Sequence, residues 1–182
     1  MNIGKSLMRT KWLVFTFGLF VSAKVAAAAP PNSCTLPQGL DAKVATKYPR
    51  AHIVGLADLN EDDRNLYKKG HGLRCPGLVE VNFYGDGKPT WALVLMSSED
   101  PTQIKSELLV ARKLELDWDI HSLSVATGIP VVWRQNPGKY KDIYGQKAIQ
   151  ATRPVVVLCY YNSSAVIFAW NGKKIEKVWL SD

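Results

Sequence analysis

Asp117, Asp119 and His121 alternate with Trp118 and Ile120 in the run DWDIH. Successive side chains of a β-strand point to opposite faces, so this spacing sets two carboxylates and an imidazole on one face. Such groups move protons near neutral pH or ligate metal ions, which makes these three the chain's best candidates for catalysis. Side chains two apart on a strand are ~6.7 Å apart, so all three reach one ion or one reacting atom only with help from a neighbouring strand. A solvated strand face with Arg112 or Lys113 opposite explains the same residues as a cross-strand charge arrangement. His71 and Cys75, four apart in HGLRCP, would supply a thiol nucleophile with its base or half of a zinc site. Further ligands at zinc spacing are missing, and an exported cysteine tends to be oxidised. The sequence contains no GxSxG, HExxH, phosphate-loop or dinucleotide-binding pattern.

Two acidic stretches invite a calcium reading. Asp58, Asn60 and Asp62 match the first three ligand positions of an EF-hand loop, but Asp63 stands where glycine is needed and Lys69 where the bidentate glutamate belongs. A helix start explains these acids better, since Asp58 and Asn60 suit N-caps and the first turn favours negative charge. The segment Asn82 to Thr90, NFYGDGKPT, resembles the calcium loop of FG-GAP-type repeats, Asp-x-Asn/Asp-Gly-Asp-Gly-x-x-Asp. Gly85, Asp86 and Gly87 match; Asn82, Tyr84 and Thr90 replace the other ligands. Ca²⁺ takes 6–8 oxygen ligands, so one carboxylate favours a plain hairpin turn. No metal site and no cofactor is expected.

The connection Gln135 to Arg153, QNPGKYKDIYGQKAIQATR, is 19 residues with little periodicity. Loops beyond ~12–15 residues in compact domains are usually functional or disordered. Trp133 and Arg134 lead into this one, and Tyr140, Lys141 and Tyr144 lie in it. Trp, Tyr and Arg are the types enriched at binding hot spots, so these five residues form the expected binding surface.

These candidates must be carried by a fold organised around Val79 to Met96. Val79, Val81 and Phe83 alternate with polar neighbours, Gly85 to Lys88 supplies turn chemistry, and Trp91 to Met96 is wholly apolar. That pattern predicts a β-hairpin whose second strand is covered on both faces. Upstream, Leu40, Val44 and Tyr48 predict a short helix stopped by Pro49, and His52 to Leu56 a strand. A second helix follows to about Lys69, with Gly70 as its C′ residue. Downstream, Glu107 to Arg112 and Asp117 to Ser124 predict an antiparallel pair, Pro130 to Trp133 an edge strand, and Val155 to Tyr160, Ala165 to Trp170 and Ile175 to Leu180 the remaining strands. Asn171-Gly172 is a strong hairpin signal between the last two. The fold class is therefore α+β: two short N-terminal helices packed on a mainly antiparallel sheet of six to eight strands.

The N-terminus predicts export. Lys5, Arg9 and Lys11 precede a 12-residue apolar run from Trp12 to Ala23, too short for the ~20 residues that span a bilayer. Alanines 26–29 then offer cleavage after Ala28, with Ala23 as the rival. Residues 1–28 are assigned to a signal peptide, 29–38 to a linker and 39–182 to one α+β domain. Cleavage after Ala28 leaves 154 residues with 19 basic and 16 acidic side chains, a net charge of +3. That is too mild to imply nucleic acid, and the apolar pattern leaves no membrane span. Cys34, Cys75 and Cys159 remain. Cys34 and Cys75 lie in Pro-flanked loops and Cys159 in an apolar strand, which favours a Cys34–Cys75 disulfide. The expectation is a periplasmic or extracellular binding protein without catalytic activity, its partner an envelope protein or glycan. The alternative is a small secreted hydrolase using Asp117, Asp119 and His121.

Overall fold

A computed structural model describes residues 34–98, 103–161 and 163–180. The expected signal peptide and the first residues of the linker lie outside them. The described chain runs α1 (Leu40–Lys47), β1 (His52–Ile53), α2 (Glu61–His71), β2 (Leu78–Val81), β3 (Thr90–Ser97), β4 (Lys105–Lys113), β5 (Trp118–Thr127), β6 (Val131–Gln135), β7 (Gly138–Lys141), β8 (Ala148–Ala151), β9 (Val155–Tyr160), β10 (Ser164–Trp170) and β11 (Ile175–Leu180). None of its helices is long and apolar enough to cross a membrane.

The strands form a five-stranded sheet around β3, a four-stranded sheet β11-β10-β9-β6 and the hairpin β7-β8, with every ladder antiparallel. The expected six to eight strands thus become eleven in three sheets. Of the short strands, β1, β2 and β6 fall in segments that read as strands, whereas the four-residue β7 and β8 have a periodicity too short to register. These two fall inside the stretch 135–153 that reads as one long loop. Ile149 and Ala151 are buried there, so this segment folds as a hairpin packed on the body of the protein.

Strand β3 earns its uniformly apolar sequence by lying between two cores. Ala92, Val94 and Met96 join a large cluster with Leu108 and Val110 of β4, Val156 and Leu158 of β9, and Ile167 and Phe168 of β10. Leu93 and Leu95 point the other way, into a smaller cluster with Leu40 and Val44 of α1, Leu109, Ala111 and Trp118. Alternate residues of one strand thereby bury both sheet faces, one under the second sheet and one under α1.

Helix α2 begins where its acids suggest. Asn60 caps it, accepting the Asp63 N–H at 2.9 Å, and Glu61, Asp62 and Asp63 fill the first turn. It runs past the expected stop: Gly70 is helical, and Gly72, at φ 69°, ends it two residues later. Arg64 fixes the approach to it, donating through Nε and a terminal nitrogen to the carbonyls of Leu56 and Leu59. The Cys34–Cys75 disulfide forms as expected, with Cα atoms 5.2 Å apart, while Cys159 is buried in β9 outside any disulfide. The bridge and the packing of Leu36 on the smaller core hold residues that read as linker.

Candidate functional site

The strand-face candidates are not brought together. Asp117 turns towards α1, where Lys43 Nζ donates to it at 2.6 Å and also to the Trp118 carbonyl. The Lys43 hydrogen bond holds the Asp117 carboxyl below its ordinary range. Asp119 and His121 contact each other instead, at 2.8 Å, and the Asp119 register partner is Arg112. Arg112 is itself bonded to Asp86 and lies over the Tyr84 ring at 5.1 Å. Arg112 thus stands opposite Asp119 across the β4–β5 ladder, as in a cross-strand charge arrangement.

The other motif residues are likewise engaged in structure. Cys75 is oxidised to Cys34 and so separated chemically from His71. Asp58 accepts the Gly55 N–H at 2.7 Å and touches His52. In the β2–β3 turn, burial pushes the Asp86 carboxyl up, but the Lys88 N–H and Arg112 outweigh this and hold it below its usual value. Among the described residues no group of three or more His, Cys, Asp or Glu side chains is arranged to hold a metal.

Of the five expected binding residues, Trp133 and Arg134 lie on β6, Tyr140 and Lys141 on β7, and Tyr144 between β7 and β8. Tyr140 is half-buried, packs on the large core and donates its hydroxyl to the Asn136 carbonyl. Tyr144 is 79% exposed at the β7–β8 tip, beside the point where the Ile143 N–H reaches the Trp179 carbonyl at 2.9 Å. The two tyrosines therefore have different roles. Tyr140→Ala is expected to cost about 1–3 kcal/mol through lost packing and a lost hydrogen bond. Tyr144→Ala should change stability by less than about 0.5 kcal/mol. Urea denaturation of the two single variants checks this, and equal losses would contradict it.

Trp133 and Arg134, by contrast, border a cavity of about 500 Å³ between α2, β2 and β6. Its wall is a run of three rings: Tyr67 and His71, one helical turn apart on α2, lie 4.8 Å centroid to centroid, and His71 is 4.9 Å from Trp133. Burial, and then Arg74, lowers the His71 pKa, so the ring is a neutral imidazole at neutral pH. Burial raises the Tyr67 hydroxyl to about 12, keeping it a donor to the Cys75 carbonyl at 3.0 Å. Arg74, Arg134 and Glu80 line the cavity. Among the described residues no carboxylate pairs with either guanidinium.

A second cavity of about 350 Å³ adjoins it, sharing Glu80 and Arg134 and extending to Asn82, Lys88 and Pro89. The two make one groove from the C-terminal turn of α2 to the β2–β3 turn. Sequence reasoning found Trp133 and Arg134 by residue type, read His71 only as a partner of Cys75, and missed Tyr67 and Arg74. The i, i+4 spacing of Tyr67 and His71 is a signal that these two rings share one face of α2.

Compared with protein-family models, with curated proteins and with solved structures, the chain matches none.

Proposed function

We propose that the protein is an exported, non-catalytic binding protein of the cell envelope or its surroundings, whose partner seats in the groove between α2, β2 and β6. The observation that carries this reading is the pair of unneutralised guanidiniums, Arg74 and Arg134, beside an aromatic wall in a concave site. A ligand site of this kind combines apolar and ring surface with a few polar groups that fix orientation. Cationic groups without internal partners are available to an incoming acidic group, and arginine binds carboxylates through a fixed fork of donors. A disulfide tying Cys34 to Cys75 is in keeping with an oxidising compartment.

The test is capture by the immobilised protein from an envelope extract. Arg134→Glu is expected to lower capture at least about tenfold, the effect of losing roughly 1.4 kcal/mol. Its melting temperature should stay at the wild-type value, because Arg134 is exposed. Undiminished capture by a folded Arg134→Glu protein would place the partner elsewhere.

A further inference from the structure

Strands β2 and β6 are edge strands of different sheets: among the described residues β2 pairs only with β3 and β6 only with β9. They run close to each other from the residue pair before β2, where the Val132 N–H of β6 donates to the Pro76 carbonyl at 2.7 Å. Gly77, next to that junction, admits no side chain: a Cβ would lie 2.6 Å from the Val54 carbonyl oxygen. The groove lies beside this junction, lined by Glu80 of β2 and Arg134 of β6.

Strand alternation fixes which backbone groups face this opening. The Val132 N–H points away from β9, so the N–H and C=O of Arg134, two residues on, point the same way. Just before β2, the Val94 N–H donates to the Gly77 carbonyl at 2.8 Å while the Gly77 N–H donates to the Val54 carbonyl, so the Gly77 carbonyl faces β3. Val79 and Val81 then bond towards β3, and the backbone groups of Glu80 face outward. Both rims of the groove thus carry strand backbone without a ladder partner, flanked by Arg74, Arg134 and Lys88 against the single acid Glu80.

From this we infer that the partner enters as an extended, acidic peptide segment, lying between the β2 and β6 edges and hydrogen-bonding its main chain to them. Unpaired edge backbone is the template for strand addition, in which main-chain bonds give affinity and flanking side chains give specificity. A glycan satisfies the arginines but has no use for alternating N–H and C=O groups on the rims. The positive excess selects acidic side chains on the peptide. This inference rests on the groove being the binding site and adds the chemical class of its occupant.

Fluorescence anisotropy with a labelled, N-acetylated Glu-Val-Glu-Val-Glu-Val peptide tests it on the whole protein. Comparison probes are the same peptide N-methylated at alternate amides, the Lys-Val counterpart, and a uronic-acid oligosaccharide. Saturable binding of the acidic peptide is expected, weakened at least about tenfold by N-methylation, by the Lys-Val exchange and by Arg134→Glu. Equal binding of the N-methylated peptide would overturn the strand-addition geometry. Binding of the oligosaccharide while the peptide fails to bind at millimolar concentration would overturn the peptide assignment and leave the groove as the site. Failure of both probes also overturns the peptide assignment, and the capture experiment with Arg134→Glu then decides separately whether the groove is the site.

Discussion

The Leu93→Asp protein is expected to be unfolded in buffer at room temperature. Leu93 is fully buried on β3, opposite Leu78 of β2 and Leu109 of β4, and packed in the cluster that joins α1 to the sheet. An aspartate there loses the leucine's apolar burial and places a carboxyl among apolar side chains with no partner, a change costing several kcal/mol. Total stability of a domain is only about 5–15 kcal/mol. Leu116→Asp is the matched control, because Leu116 is 97% exposed in the β4–β5 turn. Circular dichroism of both variants through a urea titration is the measurement. A Leu93→Asp midpoint close to wild type would mean that the α1 face of the sheet is not a packed core.

Replacing both bridged cysteines, Cys34→Ser with Cys75→Ser, should produce the second large loss. The bond spans a sequence separation of 41 residues. The chain-entropy relation gives about 4 kcal/mol for a loop of that size, within the measured range of 2–5 kcal/mol for native bridges. For a domain of this length that corresponds to a fall in melting temperature on the order of 10 °C. Wild-type protein melted in reductant should show the same fall. An unchanged melt in both would assign the anchoring of residues 34–39 to Leu36 and its neighbours instead. The bridge also bears on the binding site, since Cys75 lines the groove and its carbonyl receives the Tyr67 hydroxyl.

Long apolar strands and both helices were legible in the sequence because their periodicity runs over whole elements. Trp91 to Met96 reads as doubly covered and is so, with Ala92, Val94 and Met96 on one side and Leu93 and Leu95 on the other. The C-terminal strands and the Asn171-Gly172 turn read equally clearly; the Asn171 side chain accepts the N–H groups of Lys173 and Lys174, both at 2.9 Å. The hairpin strands β7 and β8 were not legible, since β7, GKYK, carries glycine and lysine and has only Tyr140 facing inward. Gly70 misled because its conformational freedom permits a helix end without requiring one. Around the groove, Trp133 and Arg134 stood out by type, but residue type could not separate them from Tyr144. Nor could any local pattern place α2 against β6, because that neighbourhood arises from the packing of two sheets and a bridge 41 residues apart in sequence.

Three surfaces compete as the working one: the groove, the β7–β8 tip at Tyr144, and the Asp119–His121 face of β5. Amide hydrogen exchange of the protein with and without its captured partner compares them in one measurement. Slowed exchange is expected at Glu80 and Arg134, whose N–H groups gain partners, and along residues 71–82 and 133–136 generally. Protection confined to residues 140–147 or 117–121, with Glu80 and Arg134 exchanging as in the free protein, would contradict the groove as the binding site.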